Sequence, residues 1–176
     1  LLQGLGAYGL WGMLPLYFLT IAIASPVEIV AGRIVFSLVF CAVLLLVTRN
    51  WRRFIALGRD RRAMARLSVA SVLIAVNWLT YTYAVLNGHA AEAALGYFIN
   101  PLVSIALGVL FLKERLRRMQ WVAIGFGLAA VTTLSFAYGN VPWVALVLAF
   151  SFGLYGFVKN RVGRTATALT SLSMET

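Results

Sequence analysis

Apolar residues occur along this chain in long runs that short polar segments separate. Six runs stand out, at residues 5–23, 27–47, 68–86, 92–112, 119–138 and 143–158. A helix rises about 1.5 Å per residue, so about 20 residues cross the roughly 30 Å hydrocarbon core of a bilayer. The pattern therefore predicts an all-α integral membrane protein with six transmembrane helices.

The run at 92–112 also carries small and polar residues at every fourth position. These residues are Glu92, Gly96, Asn100, Ser104 and Gly108. On a helix of 3.6 residues per turn the stripe drifts only about 40° per step, so it predicts one face for close contact. Pro101 lacks an amide proton and leaves the Tyr97 carbonyl without its helical partner. The stripe is interpreted either as a packing face with a kink or as the wall of a substrate cavity.

The basic residues alternate in position with the predicted spans. Segments 49–66, 113–118 and 159–164 hold fourteen of the fifteen Lys and Arg, and the turns at 24–27, 87–91 and 139–142 hold none. Cytoplasmic loops of membrane proteins retain Lys and Arg. The alternation predicts that this chain starts and ends on the cytoplasmic side, with 49–66 as a charged cytoplasmic loop.

Composition agrees with a membrane protein, because 62% of the residues are hydrophobic and 11% are charged. The net charge of +10 would suggest nucleic acid as a partner of a soluble protein, but here membrane spans flank each basic segment. The single cysteine and single histidine cannot form a disulfide, a zinc cluster or a histidine-based triad within this chain. We therefore expect no nucleic-acid partner, no metal, no cofactor and no enzymatic activity.

The fifteenth basic residue, Arg33, lies inside the second run, about 10 Å below the outer face. A charge at that depth is expensive and indicates a functional site. Asn77 and Asn100 lie at similar depths of about 15 and 12 Å on their own helices. In the alternative interpretation, Glu28 or Glu92 neutralises Arg33, or Arg33 extends to the surface, and the asparagines bond neighbouring helices.

Two spans are interrupted by proline, at Pro15 and Pro101. Transporters commonly build substrate sites from broken helices near the middle of the membrane. Several aromatic residues are placed to line such a cavity, or to pack in the core: Trp11, Tyr17, Trp78, Tyr81 and Tyr97.

Two sequence blocks resemble a known family. NWLTYTYAV at 77–85 and AALGYFINPLVSIALGVLFLKERLRRMQW at 93–121 are similar to the RarD branch of the EamA-type drug/metabolite transporter superfamily. GLWGMLPLYF at 9–18, EIVAGRIVFS at 28–37 and LAFSFGLYG at 148–156 extend the resemblance over nearly the whole chain. The resemblance implies a ten-helix permease of the bacterial inner membrane, built from two five-helix repeats of inverted topology.

On this resemblance, residues 1–138 form the first repeat. Residues 139–176 form the first helix of the second repeat and a truncated cytoplasmic tail, so the chain is predicted to be a fragment whose partner is the missing second repeat. Glu114 is predicted to form a cytoplasmic charge clamp with its basic neighbours. The predicted substrate-binding residues are Trp11, Arg33, Asn77, Trp78, Tyr97, Asn100 and Pro101.

The predicted function is transport of a small metabolite or drug across the lipid bilayer by alternating access. Members of the branch are named for chloramphenicol sensitivity, which leaves the natural substrate open. Two other functions remain open at this stage. One is a membrane assembly subunit that packs through glycine-rich faces and transports nothing, and the other is a half-size transporter that works as a homodimer.

Overall fold

A computed structural model describes residues 2–113, 116–138, 141–162 and 168–175, and every regular element within these ranges is a helix. The helices are α1 (Leu2–Thr20), α2 (Pro26–Val47), α3 (Trp51–Arg59), α4 (Arg61–Leu86), α5 (Ala90–Leu112), α6 (Arg118–Tyr138), α7 (Trp143–Val162) and α8 (Ala168–Glu175). The six predicted runs correspond to α1, α2, α4, α5, α6 and α7.

Within the described chain, four helices are long and apolar enough to cross a membrane: α2, α4, α5 and α7. The other two predicted spans, α1 and α6, are helices of 19 and 21 residues that fall outside this set. Length and composition therefore show a multi-pass membrane protein, and they leave the count of six spans as a prediction.

Helix α2 starts at Pro26, one residue before the predicted run at 27–47. Pro26 occupies the first turn, where a missing amide proton costs nothing. The Ser25 hydroxyl accepts a hydrogen bond from the Glu28 amide at 3.3 Å, and the Glu28 carboxylate accepts one from the Ser25 amide at 2.8 Å. This reciprocal capping box fixes where α2 begins and engages the Glu28 carboxylate in a hydrogen bond.

Helix α7 packs against both α4 and α5, and these three helices form the centre of the fold. Helices α1 and α2 pack against α4, and α6 packs against α5. At Gly96 of α5, an added Cβ would lie 2.8 Å from the carbonyl oxygen of Ala145 in α7. Small residues thus let α5 and α7 cross nearly backbone to backbone, as in many membrane helix pairs.

The stripe of small and polar residues on α5 faces α7 only in its first half. Gly96 meets α7 directly, and Asn100 lies beside Gly153, whereas Ser104 is exposed. Val103 and Leu107 take over the contact further along the helix. The reason is geometric, because a drift of about 40° per step adds up to about 120° between Glu92 and Ser104.

The prediction of a loop at 49–66 is wrong. Residues Trp51–Arg59 form the short helix α3, and α4 begins at Arg61, seven residues before the predicted span. The Asp60 carboxylate accepts hydrogen bonds from the amides of Arg62 and Ala63 at 2.9 and 3.2 Å, and so caps α4. The charged residues therefore extend a helix, which apolar patterning alone does not indicate.

Within the segment predicted to be a truncated cytoplasmic tail, residues Ala168–Glu175 form a further helix, α8. This helix packs against α2, α3 and α4. Met174 adds to a buried cluster of Leu57, Ala63, Leu67 and Val162. Half of residues 165–176 are serine or threonine, so the few apolar residues of α8 did not stand out from the sequence.

Candidate functional site

Helices α1, α4, α5 and α7 surround a cavity of about 480 Å³, called here the central cavity. Its lining residues are Trp11, Gly12, Leu14, Trp78, Tyr81, Ala94, Tyr97, Phe98, Asn100 and Phe152. Six of these ten residues are aromatic, and one of the others is a polar amide. A concave apolar space with few polar groups is typical of a site for a small molecule.

Tyr97 lies at the centre of the aromatic wall. Its ring centroid is 6.1 Å from that of Trp11, 5.8 Å from that of Tyr81 and 6.0 Å from that of Phe152. The last two pairs meet edge to face. Such pairs contribute about 0.5–1.5 kcal/mol each beyond the area they bury, so rings from three other helices hold Tyr97 in place.

Asn77 lies behind this wall and is 1% exposed. Its amide nitrogen donates to the Leu148 carbonyl at 3.1 Å and to the Ser151 hydroxyl at 3.0 Å. The Tyr97 hydroxyl donates a long hydrogen bond of 3.4 Å to the Asn77 side-chain oxygen. Asn77 therefore links α4 to α7 and orients Tyr97, and it does not line the central cavity itself.

Arg33 reaches from α2 to α4, where its guanidinium carbon lies 3.1 Å from the centroid of the Trp78 ring. Trp78 is eight residues from the Leu86 end of α4, which corresponds to about 12 Å. The guanidinium thus lies at about this level along α4, on a side of the described chain where Arg33 is exposed. Cation–π contact is worth about 0.5–1 kcal/mol at an exposed site and about 2 kcal/mol in a desolvated one, so it offsets only part of the insertion cost of about 2.5–3.5 kcal/mol for a central Arg.

Neither acidic residue that might neutralise Arg33 does so. Glu28 caps α2 through Ser25. Glu92 accepts a hydrogen bond from the Val144 amide at 3.0 Å, and its other oxygen lies 3.4 Å from the His89 ring nitrogen. Glu92 therefore caps the start of α7, and it is half-buried there instead of fully solvated.

Two further cavities adjoin Arg33. One of about 340 Å³, called here the inner cavity, shares Trp11, Trp78 and Phe152 with the central cavity. The other, of about 650 Å³, lies between α1 and α2. Arg33 lines both, so its charge borders the same aromatic side chains that bound the central cavity.

Asn100 contributes the amide of the central cavity. Its side-chain oxygen is buried and has no hydrogen-bond partner within the described residues, and it would lie 3.3 Å from a Cβ on Gly153. A buried acceptor without a partner costs about 1–3 kcal/mol. Pro101, the next residue, is exposed on α5 and is not among the lining residues of the central cavity.

This arrangement can be compared with known proteins. The model of the EamA-like transporter family matches residues 1–136. The chain belongs to this family. No solved structure matches.

Individual relatives place the chain in the RarD branch of the family. It is 48% identical over 176 residues to protein RarD of Streptomyces exfoliatus, covering 100% of this chain and 55% of the relative. It is 42% identical over 175 residues to protein RarD of Escherichia coli K12, covering 99% of this chain and 58% of the relative. An uncharacterized transporter of Vibrio cholerae is 38% identical over 176 residues, covering 100% and 58%. The chain thus spans little more than half the length of these relatives.

The residues predicted from sequence to bind substrate occupy different positions relative to the central cavity. Trp11, Trp78, Tyr97 and Asn100 line the central cavity. Arg33 lies on Trp78, and Asn77 lies behind Tyr97, whereas Pro101 is exposed. Glu114 lies outside the described residues. The function of each side chain in this family member stays a prediction.

Sequence reasoning missed the contribution of α7 and α8 to the site. Phe152 lines both the central and inner cavities. The Lys159 ammonium donates to the Glu175 carboxylate at 2.6 Å and to the Tyr155 hydroxyl at 2.9 Å, and the Glu175 side chain is only 4% exposed. The spacing of Tyr155 and Lys159 by one helical turn indicated that these two side chains could contact each other. Nothing in the sequence showed that Glu175 would bond to them.

Proposed function

We propose that the complete protein transports a small metabolite or drug across the membrane by alternating access. The observation that supports this proposal is the aromatic cavity within apolar helices, with Asn100 in its wall and Arg33 beside it. The family supports a membrane transporter in general. An aromatic cavity with few polar groups suits a small organic solute.

The membrane arrangement belongs to the same proposal. All six long helices span the bacterial inner membrane, the N-terminus lies in the cytoplasm, and α3 lies at the cytoplasmic face. The basic segments support this orientation. Four further helices complete a second, inverted repeat, and the two repeats rock about a shared central site.

Accessibility of the cavity from each side of the membrane tests alternating access. In the complete protein, Cys41→Ala removes the only cysteine of this segment, and Ala75→Cys places a thiol in the inner cavity. Ala75→Cys should react with a membrane-impermeant maleimide added from either side. A site that opens alternately to both faces requires this result.

Matched controls define each side. Ala56→Cys on α3 should react only from the cytoplasm, and Ala91→Cys near the start of α5 only from outside. Reaction of Ala75→Cys from one side alone would contradict alternating access and favour an assembly subunit. Two-sided reaction in a chain that ends at residue 176 would favour the half-size homodimer.

A further inference from the structure

Arg33 is a cation without a counter-ion in the described chain. Four of the five acidic residues lie there, and other groups hold each of them. Glu28 caps α2, Asp60 caps α4, and Glu92 caps α7. Glu175 lines the inner cavity with Arg33, but its carboxylate accepts hydrogen bonds from Lys159, Tyr155 and Ser171. The fifth, Glu114, follows the end of α5, outside the described residues.

Trp78 covers one face of the Arg33 guanidinium, and this contact is not a substitute for a counter-ion. The ring attracts the cation through its face, whereas the planar N–H donors of a guanidinium point outward in its plane. Those donors match a carboxylate or similar oxyanion. Because Arg33 borders two cavities, an anionic solute can reach it without displacing any protein group.

Asn100 sets a second requirement on the solute. Asn100 lines the central cavity, and its side-chain oxygen has no partner in the described residues. The oxygen itself is buried beside Gly153, so the amide must rotate before a solute in the cavity can reach it. A solute that presents an N–H group there satisfies an acceptor that is otherwise unpaired. The aromatic rings around it offer flat faces for an apolar body of similar size.

We propose that the solute is a small organic anion that carries an N–H donor and an aromatic-sized apolar part. The anion binds Arg33, the N–H group binds the Asn100 oxygen, and the apolar part packs between Trp11, Tyr97 and Phe152. The central and inner cavities share Trp11, Trp78 and Phe152, so one solute can contact both polar groups. This inference rests on the proposed transport function.

Three probes of nearly equal shape separate these requirements. Indole-3-acetate has the anion and the N–H donor, indole-3-acetamide lacks the charge, and benzofuran-3-acetate lacks the donor. Binding is measured by calorimetry on the complete protein in lipid nanodiscs. Indole-3-acetate should bind about tenfold or more tightly than either of the others, since each lacks one charge-assisted or buried hydrogen bond.

Two variants assign each preference to its residue. Arg33→Gln should abolish the preference for acetate over acetamide and keep the preference for indole over benzofuran. Asn100→Leu should do the reverse. Arg59→Gln, on the exposed surface of α3, is the matched control and should keep both preferences. If a variant fails to fold, the three probes on the unsubstituted protein still decide the proposal.

Equal binding of indole-3-acetate and indole-3-acetamide, equal binding of indole-3-acetate and benzofuran-3-acetate, or no binding of any probe would overturn this solute class. So would a charge preference that survives Arg33→Gln. If these results accompany two-sided labelling of Ala75→Cys, the solute class is wrong and alternating access stands. One-sided labelling removes the transport proposal whatever the probes show.

Discussion

Asn77 and Asn100 are the same residue type at similar depths, yet their side chains have opposite surroundings. Asn77 makes hydrogen bonds to α7 and accepts one from Tyr97. The Asn100 oxygen has no partner in the described residues. A bonded buried amide stabilises the fold, whereas an unpaired buried acceptor costs stability and is compensated only when a ligand binds. We therefore expect Asn77 to stabilise the fold and Asn100 to bind the solute.

Replacing each asparagine by leucine tests this division. Asn77→Leu should lower the free energy of unfolding by about 1–2 kcal/mol, because two or three interhelical hydrogen bonds averaging about 0.6 kcal/mol are lost. Asn100→Leu should leave stability unchanged or raise it, because an unpaired acceptor is removed. Unfolding of the complete protein in mixed detergent measures both. A greater loss for Asn100→Leu would contradict the assignment.

At the scale of elements, the crossing of α5 and α7 positions the site. Gly96 brings the two backbones together, and this closeness places Tyr97 against Phe152 and Asn100 beside Gly153. The same crossing lets the Glu92 carboxylate reach the Val144 amide. The geometry of the cavity wall therefore depends on small residues that make no contact with its interior.

Gly96→Ala tests the importance of this crossing. Its new methyl group would meet the Ala145 backbone at 2.8 Å, so the helices must separate, and we expect a loss of about 1–3 kcal/mol in the free energy of unfolding. Gly125→Ala in α6 is the matched control, because nothing lies within 4 Å of the added Cβ. Equal stability of the two variants would show that α5 and α7 are not tightly packed at Gly96.

Pro101 lies on the exposed face of α5, so its position favours a bend over a contact with solute. Pro101→Ala supplies an amide proton for the Tyr97 carbonyl, and we expect unchanged or higher thermal stability. Indole-3-acetate binding should fall less than in Asn100→Leu. A larger loss of binding in the stable Pro101→Ala protein would show that the break itself forms part of the site.

At the scale of the whole molecule, the two ends of the helix bundle differ in their packing and in their charged side chains. The amphipathic helix α3, the start of α4 and α8 lie together at one end, where Met174 packs against the buried residues Leu57 and Leu67. The Lys159–Glu175 pair ties α8 to α7 at the same end. The opposite end holds the turn at His89 and the cap of α7 by Glu92.

Reporter fusions in the complete protein test the orientation of these ends. Fusions after residues 57, 116 and 163 should report cytoplasm, and fusions after residues 25, 88 and 140 should report periplasm, because Lys and Arg are retained inside. A mismatch at 25 or 140 would show that α1 or α6 does not cross the membrane. A periplasmic signal after residue 57 would reverse or replace the six-span arrangement.

The sequence by itself determined the membrane class, the approximate positions of six long helices, the start of α2 and the family. These features depend on local properties: the length of an apolar run, a proline and a serine at a helix start, or a contiguous motif. It also named five of the ten residues that line the central cavity, four of them aromatic. Asn100 was among them because an amide within an apolar run is conspicuous. It did not predict α3 or α8, since polar residues mask short amphipathic helices that pack only against distant parts of the chain.

Only the tertiary structure decided which partner each polar group has. Asn77 bonds residues 71 and 74 positions away, and Glu175 meets Lys159 through the packing of α8. Arg33 lies on Trp78 although Glu28 is nearer in sequence, because Glu28 is already used to cap its own helix. The energy of a polar group in a membrane depends on whether a partner lies within about 3 Å, and helix packing alone sets that distance.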